Sequence, residues 1–282
     1  MATTPKMLGL LQEKAQRLGI ATDAILQSTI QFYWYNADDQ FEALGSGVLL
    51  TVESRYFVAT AAHVMKGATA NTYVVLGGYE MKLAGRWCST STIVNDLAVL
   101  ELSDAPQIAE LQQAYRFLTL DDLTLKLESL TGNYLLVGYP ATKTRVYGGG
   151  VHPKPYFLQA PEATDFNLAS KSLQRAAHLV LNATGLVVSA TNPDPHKTPE
   201  LEGVSGGGVW DTCNYLLRDP AQEKKLAGII TEEVKSSRGR LRHLLVTRTA
   251  VLLEVMRRGF DLNLPASTTI KTKAKPDYLA VP

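Results

Sequence analysis

Apolar positions near the start of the chain recur at helical spacing. Leu8, Leu11, Ala15 and Leu18 fall on one face, Thr4 stands as an N-cap ahead of Pro5, and Gly19 follows as a stop. A short amphipathic helix is therefore predicted over 5–20. From Ser28 the period changes towards 2. Ile30, Phe32 and Trp34 alternate with polar or amphipathic partners, and Asn36 to Asp39 supplies turn chemistry. A second strand is predicted from Phe41 to Val52, with Gly45 and Gly47 marking a bend or bulge. Further strands are predicted at Tyr56–Ala59, Tyr73–Leu76, Tyr79–Leu83 and Leu97–Leu102. Many short strands separated by turns suit a barrel or a sandwich.

Residues 103–128 interrupt this texture. Ser103 to Pro106 reads as a loop, and Ile108 to Tyr115 as a turn or two of helix. A second β-rich half follows, with strands predicted at Tyr134–Val137, Tyr156–Gln159, His178–Leu181, Gly185–Ser189, Gly207–Trp210 and Leu226–Thr231. Gly148 to Gly150 and Asn192 to Pro195 read as long loops. An amphipathic helix is predicted at 249–258, with Val251, Leu252, Val255 and Met256 on one face, Glu254 and Arg258 paired at i,i+4, and Gly259 as its stop. The division that follows is an N-terminal helical extension (1–28), a first β unit (29–115), a second β unit with the terminal helix (116–260), and a mobile tail (261–282) rich in Lys271, Lys273 and Lys275.

Composition narrows the classes. The 282 residues are enough for two units, and an apolar share of 45% is ordinary for a globular chain. With 28 Lys and Arg against 27 Asp and Glu, the formal charge is +1, which argues against nucleic acid or an acidic membrane as partner. Only Cys88 and Cys213 are present, too few for a disulfide scaffold, and both are expected to be thiols. No apolar run approaches the roughly 18 residues of a bilayer span, and the first residues lack the apolar region of a secretory leader. His152, His178, His196 and His243 have no partner at ligand spacing, so no metal site is expected.

Three segments carry chemistry. In Gly203-Val-Ser-Gly-Gly-Gly-Val-Trp210 the glycines around Ser205 let the backbone turn sharply and expose its amides. A serine hydroxyl needs a base to take its proton and donors aimed at the oxyanion. Ser205 is thus a candidate nucleophile, with the amides of Gly203 and Ser205 as candidate oxyanion donors. Alone, the segment reads equally well as a glycine-rich hairpin turn. His63 ends the apolar strand Val58-Ala-Thr-Ala-Ala, and Asp96 begins the apolar strand Leu97–Leu102. Each would ordinarily be structural.

Taken together, the order His63, Asp96, Ser205 resembles the trypsin-like (chymotrypsin-fold) serine proteases, not the α/β-hydrolases. The likeness lies in Gly45-Ser-Gly-Val-Leu-Leu with Thr60-Ala-Ala-His63, in Asp96-Leu-Ala-Val-Leu, in Gly203-Val-Ser205-Gly-Gly and in Leu226-Ala-Gly-Ile-Ile-Thr231, and it spans residues 28–260. The rival nucleophile elbow would need a buried apolar strand directly before Ser205, and His196 to Glu202 is not one. The resemblance implies an all-β fold of two antiparallel β-barrels with a short N-terminal helix and a C-terminal helix. It implies a serine endopeptidase that acts through an acyl-enzyme, with Ser205 as nucleophile, His63 as base and acid, and Asp96 orienting His63. It implies no cofactor, a polypeptide substrate, a cytoplasmic setting, and control by a regulatory protein partner in a stress or defence context, with the 1–28 helix docking or gating. Thr231 is expected to hydrogen-bond Asp96.

Departures from the family qualify this. Val204 replaces the aspartate that pairs with a newly cut N-terminus, so activation by that route is not expected. Gly208 stands where proline is usual. Pro199 falls at the pocket base, so an aspartate selecting Arg or Lys is absent there. Glu232 and Glu233 stand on the wall, either recruiting a basic side chain or merely solvated. The alternative of a trypsin fold that has lost catalysis and serves as a binding module stays open.

Overall fold

The structure is a computed structural model that describes residues 22–277, apart from 37, 66–71, 77–78, 91–93, 130–131, 148–149, 184–185, 190–191, 198–200, 212–223, 236–240, 271 and 273. The predicted 5–20 helix lies outside the described residues. Residues 22–26 are helical, and Ile25 is fully buried.

In chain order the first sheet takes β1 (Thr29–Tyr35), β2 (Phe41–Val52), β3 (Arg55–Ala61), β4 (Tyr73–Leu76), β5 (Tyr79–Lys82), β6 (Gly85–Thr90) and β7 (Leu97–Leu102), with α1 (Ala62–Met65) after β3 and α2 (Ala105–Ala114) after β7. The second half supplies β8 (Asn133–Gly138), β9 (Arg145–Tyr147), β10 (Gly150–His152), β11 (Tyr156–Pro161), β12 (His178–Asn182), β13 (Leu186–Ser189), β14 (Asn192–Lys197), β15 (Gly208–Asp211), β16 (Lys225–Lys235) and β17 (Leu241–Arg248). It ends in α3 (Thr249–Phe260) and β18 (Ala274–Asp277). Eight strands form one sheet in the order β18-β6-β7-β3-β2-β1-β4-β5, and six form another in the order β11-β8-β15-β16-β17-β12. Among the described residues, all strand pairs are antiparallel. The six-stranded sheet curls until its edges meet in a Glu162–Leu181 bridge beyond the end of β11. Where two antiparallel β-barrels with a C-terminal helix are expected, the structure is mostly β, with two antiparallel sheets, one of them curled into a half-barrel, and the C-terminal helix in place.

Packing explains the arrangement. One apolar cluster fills the first sheet around Phe32, Leu49, Val58 and Leu100, and another fills the second around Leu136, Leu158, Val209 and Ile230. A third is shared by both sheets and α3, joining Leu50, Phe57 and Val99 to Val137, Trp210 and Ile229 through Val251, Leu252 and Val255. β1 is buried on both faces as far as Tyr33, so the alternation read from its sequence understates its burial. The segment between the two sheets bridges each in turn, Leu118 to Leu50 and Leu123 to Leu226.

Several local expectations change. The α2 helix begins at Ala105, inside the stretch read as loop. The Asp104 carboxylate caps it by accepting from the Gln107 amide at 3.1 Å, and Pro106 is tolerated in a first turn. Asn192 to Pro195, read as loop, belongs to β14. Gly259 is not the stop of α3. It lies inside the helix, where a Cβ would strike the buried Cys88 side chain, and Asp261 takes the left-handed C-terminal position at φ 53°. The Glu254–Arg258 pair forms, and Arg257 joins it. The Arg257 hydrogen bond, with Arg258 beside it, holds the Glu254 carboxyl down at about 2 despite burial. Described residues of the tail read as mobile make contacts with the rest of the fold. Leu262 and Ile270 sit in the shared core because apolar side chains are available to cover α3, and β18 extends the first sheet.

Candidate active site

His63 and Asp96 are brought together by strand register. β3 and β7 pair antiparallel with Ala61 opposite Leu97, so the residue after one strand and the residue before the other are neighbours. The Ala62 amide donates to the Asp96 carbonyl at 2.8 Å. The His63 amide donates to Asp96 Oδ1 at 2.9 Å, and His63 Nδ1 lies 2.5 Å from Asp96 Oδ2. Both carboxylate oxygens are thus committed to one residue, which fixes the imidazole and favours Nδ1 as a donor. Asp96 sits at φ 38°, in the left-handed region that a short polar side chain tolerates better than most. Its side chain is 18% exposed and that of His63 45%, so the carboxylate is the more sheltered of the pair, and Nδ1 being taken leaves Nε2 as the open ring nitrogen.

Ser205 is placed by backbone bonds from three directions. Its carbonyl accepts from the Ser46 amide at 2.8 Å, across from the first sheet. The Gly206 amide donates to the Ile230 carbonyl at 2.8 Å. The Glu202 carbonyl accepts from the Ala141 amide at 2.8 Å, which turns the 202–203 peptide so that the Gly203 N–H points the other way. The Ser46 hydroxyl, fully buried, donates to the Gly203 carbonyl at 3.1 Å and accepts from the Tyr139 amide at 2.8 Å. Gly206 sits at φ 86°, and a Cβ there would strike the Ser46 carbonyl and the Thr60 hydroxyl, so only glycine allows this approach. Among the described residues, neither the Gly203 amide nor the Ser205 amide has an acceptor. Two donors are left open beside a serine, as an oxyanion site requires.

A cleft of about 730 Å³ holds His63, Asp96 and Ser205 together, with Gly203, Thr231 and Leu44 among its lining. Among the described residues, no hydrogen bond joins Ser205 Oγ to His63. Leu44 and Thr231 are the extra residues of two β-bulges, between Phe32 and Tyr33 opposite β2 and between Ile230 and Glu232 on β16. Bulges re-aim side chains, and both of these residues line the cleft.

The remaining predicted residues divide. Thr231 does not reach Asp96. Its buried hydroxyl donates to the Leu245 carbonyl at 3.3 Å, because the bulge turns it along β17. Glu232 and Glu233 line the cleft but are paired, Glu232 with Lys171 at 2.9 Å and Glu233 with Lys235 at 3.4 Å. Pro199 and Cys213 lie outside the described residues. Glu202, in the segment before Ser205 expected to line the pocket, does line the cleft, whereas sequence reasoning gave Ser46 no role. Ser46 sits inside Gly45-Ser-Gly47, and that close pair of glycines was the available signal for a tight approach. Among the described residues, no group of three or more His, Cys, Asp or Glu side chains is arranged to hold a metal. His178 is buried with both ring nitrogens engaged, Nδ1 with Gln174 and Nε2 with the Val94 carbonyl at 3.2 Å, and burial lowers its pKa. No described helix is long and apolar enough to cross a membrane.

No protein-family model matches this chain. No curated protein matches it either. Among solved structures it is similar to one described as "Aromatic interactions drive the coupled folding and binding of the intrinsically disordered Sesbania mosaic virus VPg protein". That likeness covers 86% of this chain and 92% of the other, at 12% identity and a TM-score of 0.46, too distant to carry an argument.

Proposed function

We propose that this chain is a trypsin-like serine endopeptidase. The observation that carries the reading is the His63–Asp96 pair across one cleft from Ser205, with the Gly203 and Ser205 amides unclaimed beside it. In the proposed reaction Ser205 Oγ bonds to the scissile carbonyl carbon while its proton passes to His63 Nε2. The carbonyl electron pair moves onto oxygen, which the two amides hold. As the intermediate collapses, the C–N bond breaks and Nε2 gives its proton to the leaving amine. Water repeats the sequence on the acyl-enzyme, and the acid and free Ser205 are released. Asp96 orients the ring and stabilises its cationic form throughout. The substrate is an extended polypeptide, no cofactor takes part, and the cytoplasmic, partner-controlled setting follows the family resemblance.

Labelling with a fluorophosphonate probe tests this. Wild type is expected to label, with Ser205→Ala abolishing the label and His63→Ala slowing it by about 10³-fold or more. Label on another serine overturns the assignment. The missing Ser205–His63 hydrogen bond favours a second reading, a binding module on the same fold, and absence of label from folded wild type selects it.

A further inference from the structure

The loop that carries Asp96 is also held from outside its own sheet. β17 contributes Thr247, whose buried hydroxyl donates to the Asn95 carbonyl at 2.5 Å. β12 contributes His178, whose Nε2 donates to the Val94 carbonyl. The third attachment comes from far along the chain. After α3, Leu262 and Ile270 enter the shared core and Thr272 is buried, so the chain is led across the molecule to the first sheet. There β18 pairs antiparallel with β6, Ala274 opposite Thr90 through to Asp277 opposite Trp87. On this path the Asn95 side-chain amide donates to the Thr272 hydroxyl at 3.1 Å.

The back of this loop is not packed solid. A cavity of about 200 Å³ lies against it, lined by Val94, Asn95, Gln174, His178, Ile270 and Thr272 among others. Where a loop is backed partly by space, discrete hydrogen bonds carry more of the work of holding it. Asp96 moreover sits at φ 38°, a conformation that its surroundings must impose.

We propose that Ile270, Thr272 and β18 form a strap in which Thr272 is a positioning residue for Asp96. Thr272 fixes the Asn95 side chain, and so the turn that sets both Asp96 carboxylate oxygens on His63. This rests on the reading of His63, Asp96 and Ser205 as the catalytic set. The strap joins the end of α3 to the edge of the first sheet, so formation of the His63–Asp96 pair is coupled to docking of a segment about 175 residues away in sequence.

The test uses Thr272→Val, which keeps the shape and removes the acceptor, with Thr272→Ser as the restoring variant and Asn95→Ala cutting the same bond from the other side. Three quantities are read on the full chain: the downfield proton resonance of the His63 Nδ1–H, the rate of fluorophosphonate labelling at Ser205, and Tm. Thr272→Val and Asn95→Ala are expected to shift or broaden the resonance and to slow labelling by about 10-fold, as a misplaced orienting group does. Thr272→Ser is expected to restore both. A resonance and labelling rate unchanged in both Thr272→Val and Asn95→Ala overturn the strap, as does the absence of the resonance from wild type. If Thr272→Val fails to fold, Asn95→Ala alone decides. Wild type that shows the resonance but takes no label fails the endopeptidase reading, and the resonance in the variants still decides the strap.

Discussion

The two halves of the cleft are built by different means. His63 and Asp96 meet because two neighbouring strands of one sheet end and begin side by side, with Ala61 opposite Leu97. Their geometry follows from register, and the Ala62 amide and the His63 amide both close on Asp96. Ser205 has no such strand partner. It lies in a turn before β15, and its position comes from Ser46 on the first sheet, Ala141 in a short turn after β8, and Ile230 on β16. Register brings His63 and Asp96 side by side, while the turn before Asp96 is steadied by Thr247, His178 and Thr272. The turn that carries Ser205 has no register of its own and is pinned from three elements, so it is where disturbance of the shared core is expected to register first.

The largest effect is expected on the register-made side. Asp96→Asn leaves the β3–β7 pairing intact but removes the charge that stabilises the His63 cation, and kcat for peptide hydrolysis is expected to fall by about 10⁴-fold. A fall of less than tenfold, measured by steady-state kinetics, would show that the pair is not catalytic. On the pinned side, Gly206→Ala forces a Cβ into the Ser46 carbonyl and the Thr60 hydroxyl at φ 86°. A loss of about 3 kcal/mol is expected in urea unfolding, from strain and overpacking together.

Ser46→Ala sharpens the contrast at smaller cost. It strands the buried Tyr139 amide and frees the Gly203 carbonyl, which is worth about 1–3 kcal/mol of stability. Its kinetic mark should be a fall in kcat with KM little changed, because the donors serve the transition state. Equal losses in Asp96→Asn and Ser46→Ala would erase the distinction between the two sides. The smallest effect concerns pH. Burial lowers the His178 pKa below its ordinary 6.5, so the unfolded chain takes up a proton that the folded one resists. Stability from this group is fully present above pH 6.5 and declines as pH falls below it. His178→Gln is expected to flatten that part of a Tm-against-pH curve, and an unaltered slope would reject the assignment.

Much of the first half was legible in the sequence. Phe41–Val52, Tyr73–Leu76 and Leu97–Leu102 are strands with those bounds, because turn residues and apolar runs sit where the strands end. β6 was missed, since Gly85, Arg86 and Ser89 dilute its apolar content. β17 was missed although it is the longest partner of β16, because its Leu241-Arg-His-Leu-Leu-Val-Thr-Arg248 run carries no clear period. Gly259 misled for a different reason. It is a packing residue against Cys88, and a sequence cannot separate a glycine needed for a close approach from one needed for a left-handed turn.

By itself the sequence determined the strand-rich, two-sheet texture, the C-terminal helix, and the three segments around His63, Asp96 and Ser205. These are local matters of period, turn chemistry and residue type. Only the tertiary structure decided how those segments meet. The Thr231 hydroxyl turned to Leu245 because a bulge re-aims it, and Ser46 became the residue that holds the Gly203 peptide. Ala274–Asp277 became a strand beside β6, and Thr272 met Asn95. Each of these depends on atoms distant in sequence, and such contacts are selected by packing in the shared core, which no local pattern of polar and apolar residues records.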